Sequence, residues 1–312
     1  MRAIERIIIV VRSTELDDLV ARFNTVPQAR FYIEQSGQNF ERIEIAHKDY
    51  KEAVSSVMRS LPTDLKHQVL DRSLVSRFLF NSADIIVVIG QDGLVSNTAK
   101  YLDDQVIIGV NPSPDLFDGI LLPYTAKTTS VAISQYIAGA LTVKTVTLAE
   151  AKTNDGQTLL AFNDFFIGAN SHVSARYEIV HGHDHEAQSS SGIIVSTGAG
   201  STGWLKSIHQ GAVNVAAAFG GVTGSKAITP TYAWDHDELI FAVREPFPSR
   251  ITGTAIGYGK ITRETPLKII SRMATNGVIF SDGLEADYIA FNAGCEAEIK
   301  LAKKKAFLAI PT

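Results

Sequence analysis

Four short stretches carry residue types that can do chemistry. The first is Gly90-Gln91-Asp92-Gly93, which directly follows the apolar run from Asp84 to Ile89. In open α/β sheets, ligands bind beyond the carboxyl ends of the strands. Glycines at such a turn let the backbone approach a phosphate, and the N–H groups of a following helix can hold an anion. A carboxylate there repels phosphate unless it has a task. It can accept the proton of an attacking hydroxyl or hold Mg²⁺. Asp-Gly is also an ordinary turn pair. The second stretch, Gly198-Ala199-Gly200-Ser201-Thr202-Gly203, is a literal Gly-x-Gly-x-x-Gly after the strand-like run Gly192–Thr197. It has the letters of a dinucleotide fingerprint. It lies mid-chain, however, and further on Val215–Gly220 offers no acid for a ribose. We expect a loop that meets a nucleotide through backbone and hydroxyl groups, with no βαβ crossover and no hydride transfer. The third stretch is Asn163-Asp164, a polar pair inside the apolar run Leu159–Ile167. An amide with a carboxylate can read a base edge or ribose hydroxyls, and the pair can equally be a strand-end turn. The fourth, His181-Gly182-His183-Asp184-His185-Glu186, has metal-binding side chains. One short polar segment rarely closes a metal site alone, so a solvated loop is expected.

These stretches need elements to position them. Ile7–Val11 reads as a strand buried on both faces. Ser13-Thr14 followed by Glu15, Asp17 and Asp18 marks a helix start. Residues 47–60 and 64–80 carry helical patterns, and a helix-like stretch at 95–102 separates Asp84–Gly90 from Val106–Val110. Strand, helix and strand at this spacing predict a parallel sheet. From about residue 140 the pattern changes. Strand-like runs recur at Val143–Leu148, Thr158–Ile167, Gly192–Thr197, Glu238–Val243, Leu267–Ser271, Gly277–Ser281 and Tyr288–Asn292. Gln188–Ser191 reads as a loop, and 299–309 as a closing strand or a short helix. The expected architecture is an α/β domain over 1–140 and a β-rich domain over 141–292, with 293–312 returning to the first.

Composition narrows the function classes. The 312 residues are 45% hydrophobic and 20% charged, enough to build a core and too apolar for a disordered chain. A net charge of −4 supplies no basic field for nucleic acid or an anionic membrane, so neither is expected as a partner. The single cysteine, Cys295, excludes an internal disulfide and a cysteine-based zinc cluster. The short apolar run Ile7–Val11 is no signal-peptide core, which makes a cytoplasmic location the expectation.

In order along the chain, these pieces resemble the NAD kinase family. Its members carry Gly-Gly-Asp-Gly-Thr after a strand, then Asn-Glu, then a Thr-Pro-Thr-Gly-Ser-Thr-Ala-Tyr-like loop, then Asp-Gly late in a β-rich domain. The matching stretches are Gly90–Leu94, Asn163-Asp164, Thr197–Trp204 and Asp282-Gly283, with Gly109-Val110-Asn111 similar to a Gly-Ile-Asn strand end. The departures are Gln91 for glycine, Leu94 for threonine, Asp164 for glutamate, Ala199 for a hydroxyl residue, Trp204 for tyrosine, and Ser191 where an acid is usual. The resemblance implies phosphoryl transfer from ATP, or polyphosphate, to the 2′-hydroxyl on the adenosine side of NAD. It implies that Asp92 is the general base or positions that hydroxyl, and that Gly90 and Gly93 admit the phosphates. Asn163 and Asp164 would hold the adenosine portion. Thr197, Gly200, Ser201, Thr202 and Gly203 would line the dinucleotide site, with Trp204 as a stacking face. It further implies Mg²⁺ or another divalent cation with the ATP, and a homodimer or homotetramer. The departures leave two alternatives open: a kinase of another hydroxyl, on a lipid or sugar, and a non-catalytic nucleotide sensor.

Overall fold

The computed structural model describes residues 4–116, 118–220 and 231–311. The chain divides into two units, Met1–Lys144 with Phe307–Thr312, and Thr145–Ala306.

In the first unit, β1 (Arg6–Val11) leads to α1 (Glu15–Phe23), α2 (Val26–Gln35) and α3 (Phe40–Ser60). Then come β2 (Lys66–Asp71), β3 (Asp84–Ile89), α4 (Asp92–Ala99), β4 (Val106–Asn111), β5 (Tyr124–Thr125) and α5 (Thr129–Ile137). The helix start at Thr14 is a reciprocal capping box with Asp17: Thr14 Oγ1 accepts the Asp17 N–H, and the Asp17 carboxylate accepts that of Thr14. The strands pair in parallel in the order β2-β1-β3-β4. Every residue of β3 and β4 is buried, as strands covered on both faces require. One face packs on Tyr50 and Val57 of α3, on Leu61 just past its end, and on Ala132 and Ile133 of α5. The helical expectation for 64–80 is overturned. Lys66–Asp71 is an edge strand with only Leu70 buried, followed by a 3₁₀ turn at Arg72–Arg77. A one-sided edge strand shows too little alternation to separate it from an exposed helix.

The second unit takes β6 (Thr142–Thr153) from residue 145 on, then β7 (Thr158–Ala161), β8 (Asp164–Ala169), β9 (Ala175–His181), β10 (Asp184–Ser190), β11 (Ile193–Ser196) and α6 (Trp204–Ala218). It continues through β12 (Leu239–Val243), β13 (Tyr258–Ile261), β14 (Leu267–Ser271), β15 (Gly277–Ser281), β16 (Leu284–Ala290) and β17 (Glu296–Ile310). β17 settles 299–309 as a strand. Its residues 307–310 belong to the first unit, where Phe307 and Leu308 pair in parallel with β4. One sheet runs β10-β9-β14-β17 antiparallel; the other is antiparallel in the order β13-β12-β11-β8-β15-β16. Their inner faces meet over a core that includes Tyr177, Ile179, Ile269 and Ile299 from one sheet and Phe165, Ile167, Phe241 and Ile279 from the other. α6 covers part of the second sheet's outer face through Leu205, Ile208 and Trp204.

Two loop expectations are corrected here. Gln188–Ser190 is strand, and Gln188 and Ser190 are buried because both side chains bond the Tyr177 hydroxyl, at 3.0 and 2.7 Å. The histidine stretch is a hairpin turning at Gly182, with φ +63°. His181 Nε2 donates to Lys260 O at 2.8 Å, and His185 meets Glu178 at 3.1 Å. No helix among the described residues is long and apolar enough to cross a membrane.

Candidate functional site

The first unit builds its turn where the chain reverses direction across the sheet. From β1 the chain moves outward to β2 and then returns to β3 on the other side. The crevice beyond the carboxyl ends at such a switch point is where open α/β sheets bind ligands. A cavity of ≈360 Å³ lies there, lined among others by Arg12, Thr14, His47, Tyr50, Gly90 and Gln91. Tyr50 ties the two strand ends together. Its hydroxyl donates to Ile89 O at 3.1 Å and accepts the Arg12 N–H at 2.9 Å. The Gln91 side chain does not cap α4; its Oε1 accepts from Arg12 Nη1 at 2.9 Å. The guanidinium is thereby held at the mouth of the turn. Gly90 is tight against Leu94, where a Cβ would stand 3.0 Å from Cδ2. Gly93 is different. A Cβ there would meet nothing within 4 Å, and its φ is not positive. The fold does not require glycine at 93, whereas a phosphate approaching the backbone would. Asp92 opens α4, and its carboxylate accepts the N–H groups of Leu121 at 2.9 Å and Ile120 at 3.3 Å.

In the second unit three separate sequence motifs come together. Asp282 sits at the β15–β16 turn with φ +54°, followed by Gly283 with φ +68°. Its carboxylate accepts the N–H groups of Phe162 at 3.0 Å, Asn163 at 2.6 Å and Asp164 at 3.3 Å. The Asn163 carbonyl in turn accepts the Thr197 N–H at 2.9 Å, and Thr197 Oγ1 donates to Phe162 O at 2.6 Å. Gly200 packs so closely that a Cβ would stand 2.1 Å from Asn163 O. Gly198 is equally constrained, at 1.9 Å from Ala233 O. Backbone thus meets backbone across the cluster, and the glycines are there for that contact.

The candidate residues now separate. Thr197 and Ser201 spend their hydroxyls inside the protein: Ser201 Oγ donates to Gly198 O at 2.7 Å and accepts the Tyr232 N–H at 3.1 Å. Thr202 and Gly203 are exposed, and Asn163 is half-buried. Asp164 is only 8% exposed, and burial together with the nearby charge of Asp282 raises its carboxyl to about 7. The glycine-rich segment is a 3₁₀ turn at Ala199–Thr202 that runs straight into α6, so the expected loop is in fact a helix entry. β12, the next strand with which β11 pairs, is antiparallel to it, so no βαβ crossover forms. Trp204 lies parallel to Phe166, with centroids 5.9 Å apart, and Arg244 stands 5.5 Å from its ring centre. These three line a cavity of ≈580 Å³ with Ser191, Phe280 and Tyr288.

No protein-family model matches the sequence, and no curated protein does. Solved structures do match. An NAD kinase from Archaeoglobus fulgidus, in complex with ATP, aligns with a TM-score of 0.55 at 16% identity, over 97% of this chain and 92% of that one. Yeast NADH kinase, complexed with NADH, aligns with a TM-score of 0.56 at 12% identity, over 100% of this chain and 85% of that one. The fold is that of the NAD kinases.

Within this NAD kinase-like fold, two features escaped sequence reasoning. Arg12 lies far from the turn in sequence and reaches it only because β1 and β3 are neighbours. Asp282 was visible as an Asp-Gly pair, but its grip on residues 162–164 is a tertiary contact with no local signal. Among the described residues no group of three or more His, Cys, Asp or Glu side chains is placed to hold a metal ion.

Proposed function

We propose that the chain is a phosphotransferase that moves the γ-phosphoryl group of ATP to the 2′-hydroxyl of the adenosine ribose of NAD, giving NADP. One observation carries the reading. Asn163-Asp164, Thr197–Gly200 and Asp282 are drawn into a single cluster in which, among the described residues, the Asn163 side-chain amide and the Asp164 carboxyl have no hydrogen-bond partner. Buried polar groups are costly without partners, and a nucleoside's hydroxyls would supply them. The fold agrees: the A. fulgidus enzyme was solved with ATP and the yeast enzyme with NADH.

In this reading the open backbone at Gly93, the N-terminus of α4, which no side chain caps, and Arg12 attract the nucleotide phosphates. Asp92 orients the attacking hydroxyl or takes its proton; each of its oxygens retains a lone pair after accepting a backbone N–H. Asn163 and Asp164 hold the nucleoside, and Thr202, Gly203 and Trp204 border it. Thr197, Gly200 and Ser201 shape the cluster from within. Mg²⁺ arrives on the ATP phosphates, where it neutralises charge. The active form is a homodimer or homotetramer, which light scattering would size. The reading is tested by offering NAD, NADH, sugars and lipid head groups with Mg·ATP. Phosphorylation of NAD supports it; phosphorylation of another hydroxyl, or nucleotide binding without turnover, replaces it with one of the alternatives.

A further inference from the structure

The cavity of ≈580 Å³ in the second unit is lined by an arginine whose donors are unused. Among the described residues the Arg244 guanidinium makes no hydrogen bond. Its one ion pair there is with the adjacent Glu245, at 3.7 Å, and that carboxylate is 67% exposed. Such a contact is too long for a hydrogen bond and is screened by water. The five N–H donors of the guanidinium therefore stay open.

The cavity's floor is aromatic and rigid. Along β8, Phe165 and Ile167 enter the sandwich core, and Phe166 turns to the other face with Ile194 and Val278. The Phe166 ring lies over two glycines: a Cβ at Gly168 or Gly192 would stand 2.8 or 2.7 Å from it. Phe166 stacks with Trp204 and with Phe280, at centroid distances of 5.9 and 5.0 Å, so three rings form one surface. Arg244 is fixed beside it. Its N–H donates to Gly192 O and its carbonyl accepts the Ser191 N–H, each at 2.8 Å, and its guanidinium carbon stands 5.5 Å from the Trp204 ring centre. Serine at 191, where the resembled family usually has an acid, puts no carboxylate next to the guanidinium.

A flat aromatic surface takes a planar ring, and a guanidinium fork takes a phosphate or carboxylate through paired N–H bonds. Asn170, Ser171 and Ser174 also line the cavity and can bond base edges and ribose hydroxyls. A simple aromatic acid would leave them idle. We propose that this cavity binds a mononucleotide unit, its base on the rings of Phe166, Trp204 and Phe280 and its phosphate in the Arg244 fork. It is a second half-site, apart from the cluster of Asn163, Asp164 and Asp282. The one carboxylate in the described lining is exposed Glu285, which repels a phosphate, so the phosphate seat is at Arg244.

Two sources share this chemistry: the far half of a dinucleotide held at the cluster, and a free mononucleotide. The first is within reach, since Asp164 and Phe166 lie on one face of β8, about 7 Å apart along the strand. The proposal rests on the cavity and not on the phosphotransferase reading.

The test is calorimetric titration of the full chain with AMP, adenosine and NAD, in the wild type, Arg244→Gln and Ser191→Asp. Arg244→Gln should weaken AMP or NAD by about ten- to a hundredfold, the range for hydrogen bonds to a charged group, and leave adenosine unchanged. Ser191→Asp, at an exposed position, should do the same by giving Arg244 a carboxylate. Titrating AMP into NAD-saturated protein separates the sources. Exclusion of AMP assigns the cavity to the far half of NAD. A further AMP site that disappears in Arg244→Gln assigns it to a free mononucleotide. Wild-type affinity for both AMP and NAD in folded Arg244→Gln overturns the proposal, as do an equal loss for adenosine and a wild type that binds neither nucleotide. If Arg244→Gln fails to fold, Ser191→Asp decides by the same criteria. No turnover is measured, so an NAD kinase whose affinities ignore Arg244 removes the proposal and leaves the kinase reading intact.

Discussion

Asp164 should cost the protein stability above acid pH, and that cost can be measured without any substrate. Its carboxyl sits at about 7 in the folded chain against an ordinary 3.8. The folded state therefore binds more protons than the unfolded state between these values. The sign follows: stability is greatest below the lower value, declines as pH rises through the window, and levels off above about 7. A shift of this size corresponds to a loss of up to ~4 kcal/mol, taken at 1.36 kcal/mol per unit. Asp164→Asn removes the ionising group. It should raise the melting temperature at mildly alkaline pH, change little in acid, and flatten the dependence between them. A variant that melts lower than wild type in alkali would mean that the carboxylate is structurally paired. The glycines offer a second contrast at this scale. Gly200→Ala would force a Cβ against Asn163 O, at 2.1 Å before relaxation, and should destabilise the fold by about 1–3 kcal/mol. Gly93→Ala meets open space. Its melting temperature should stay close to wild type while calorimetric affinity for ATP falls. Equal melting losses in the two variants would show that Gly93 is a packing glycine.

At the scale of elements, the β15–β16 turn is the clamp on the β7–β8 connection, which carries Asn163, and on Asp164 at the start of β8. Asp282 accepts three backbone N–H groups, and hydrogen bonds to a charged acceptor contribute about 1.5–3 kcal/mol each before coupling. Asp282→Ala should lower the denaturation midpoint and raise the hydrogen-exchange rates of the amides at 162–164 together. Exchange that stays as slow as in wild type would remove the clamp. The elements also show what could be read without coordinates. Ile7–Val11 and Asp84–Ile89 were legible because a strand buried on both faces needs an unbroken β-branched run. Lys66–Asp71 was not, since an edge strand buries only Leu70 and its polar residues imitate an exposed helix. β10 hid for the opposite reason: Gln188 and Ser190 are polar residues facing inward, satisfied by Tyr177 across the sheet. α6 hid because only Leu205 is buried along it, so its sequence lacks the strong apolar stripe of a core helix. The site was legible as residue types at four positions along the chain. Its assembly was not, because the contacts that join Asn163 to Thr197 and Asp282, or Arg12 to Gln91, are long-range backbone and side-chain bonds.

For the molecule as a whole, the NAD kinase-like fold carries the Gly90–Gly93 turn in one unit and the cluster of Asn163, Asp164, Thr197 and Asp282 in the other. Either feature alone fits many proteins. Together they are the two features on which the proposed phosphotransferase activity rests. The departures at Gln91, Leu94 and Ala199 do not disturb these features. Gln91 positions Arg12, Leu94 is buried beneath Gly90, and Ala199 lies buried within the 3₁₀ turn. The most direct test of the central claim is phosphorus NMR of the purified chain with NAD and Mg·ATP. A 2′-phosphomonoester resonance of NADP should grow in step with ADP. ADP appearing without NADP, or NAD and ATP both persisting unchanged beside folded protein, would contradict it.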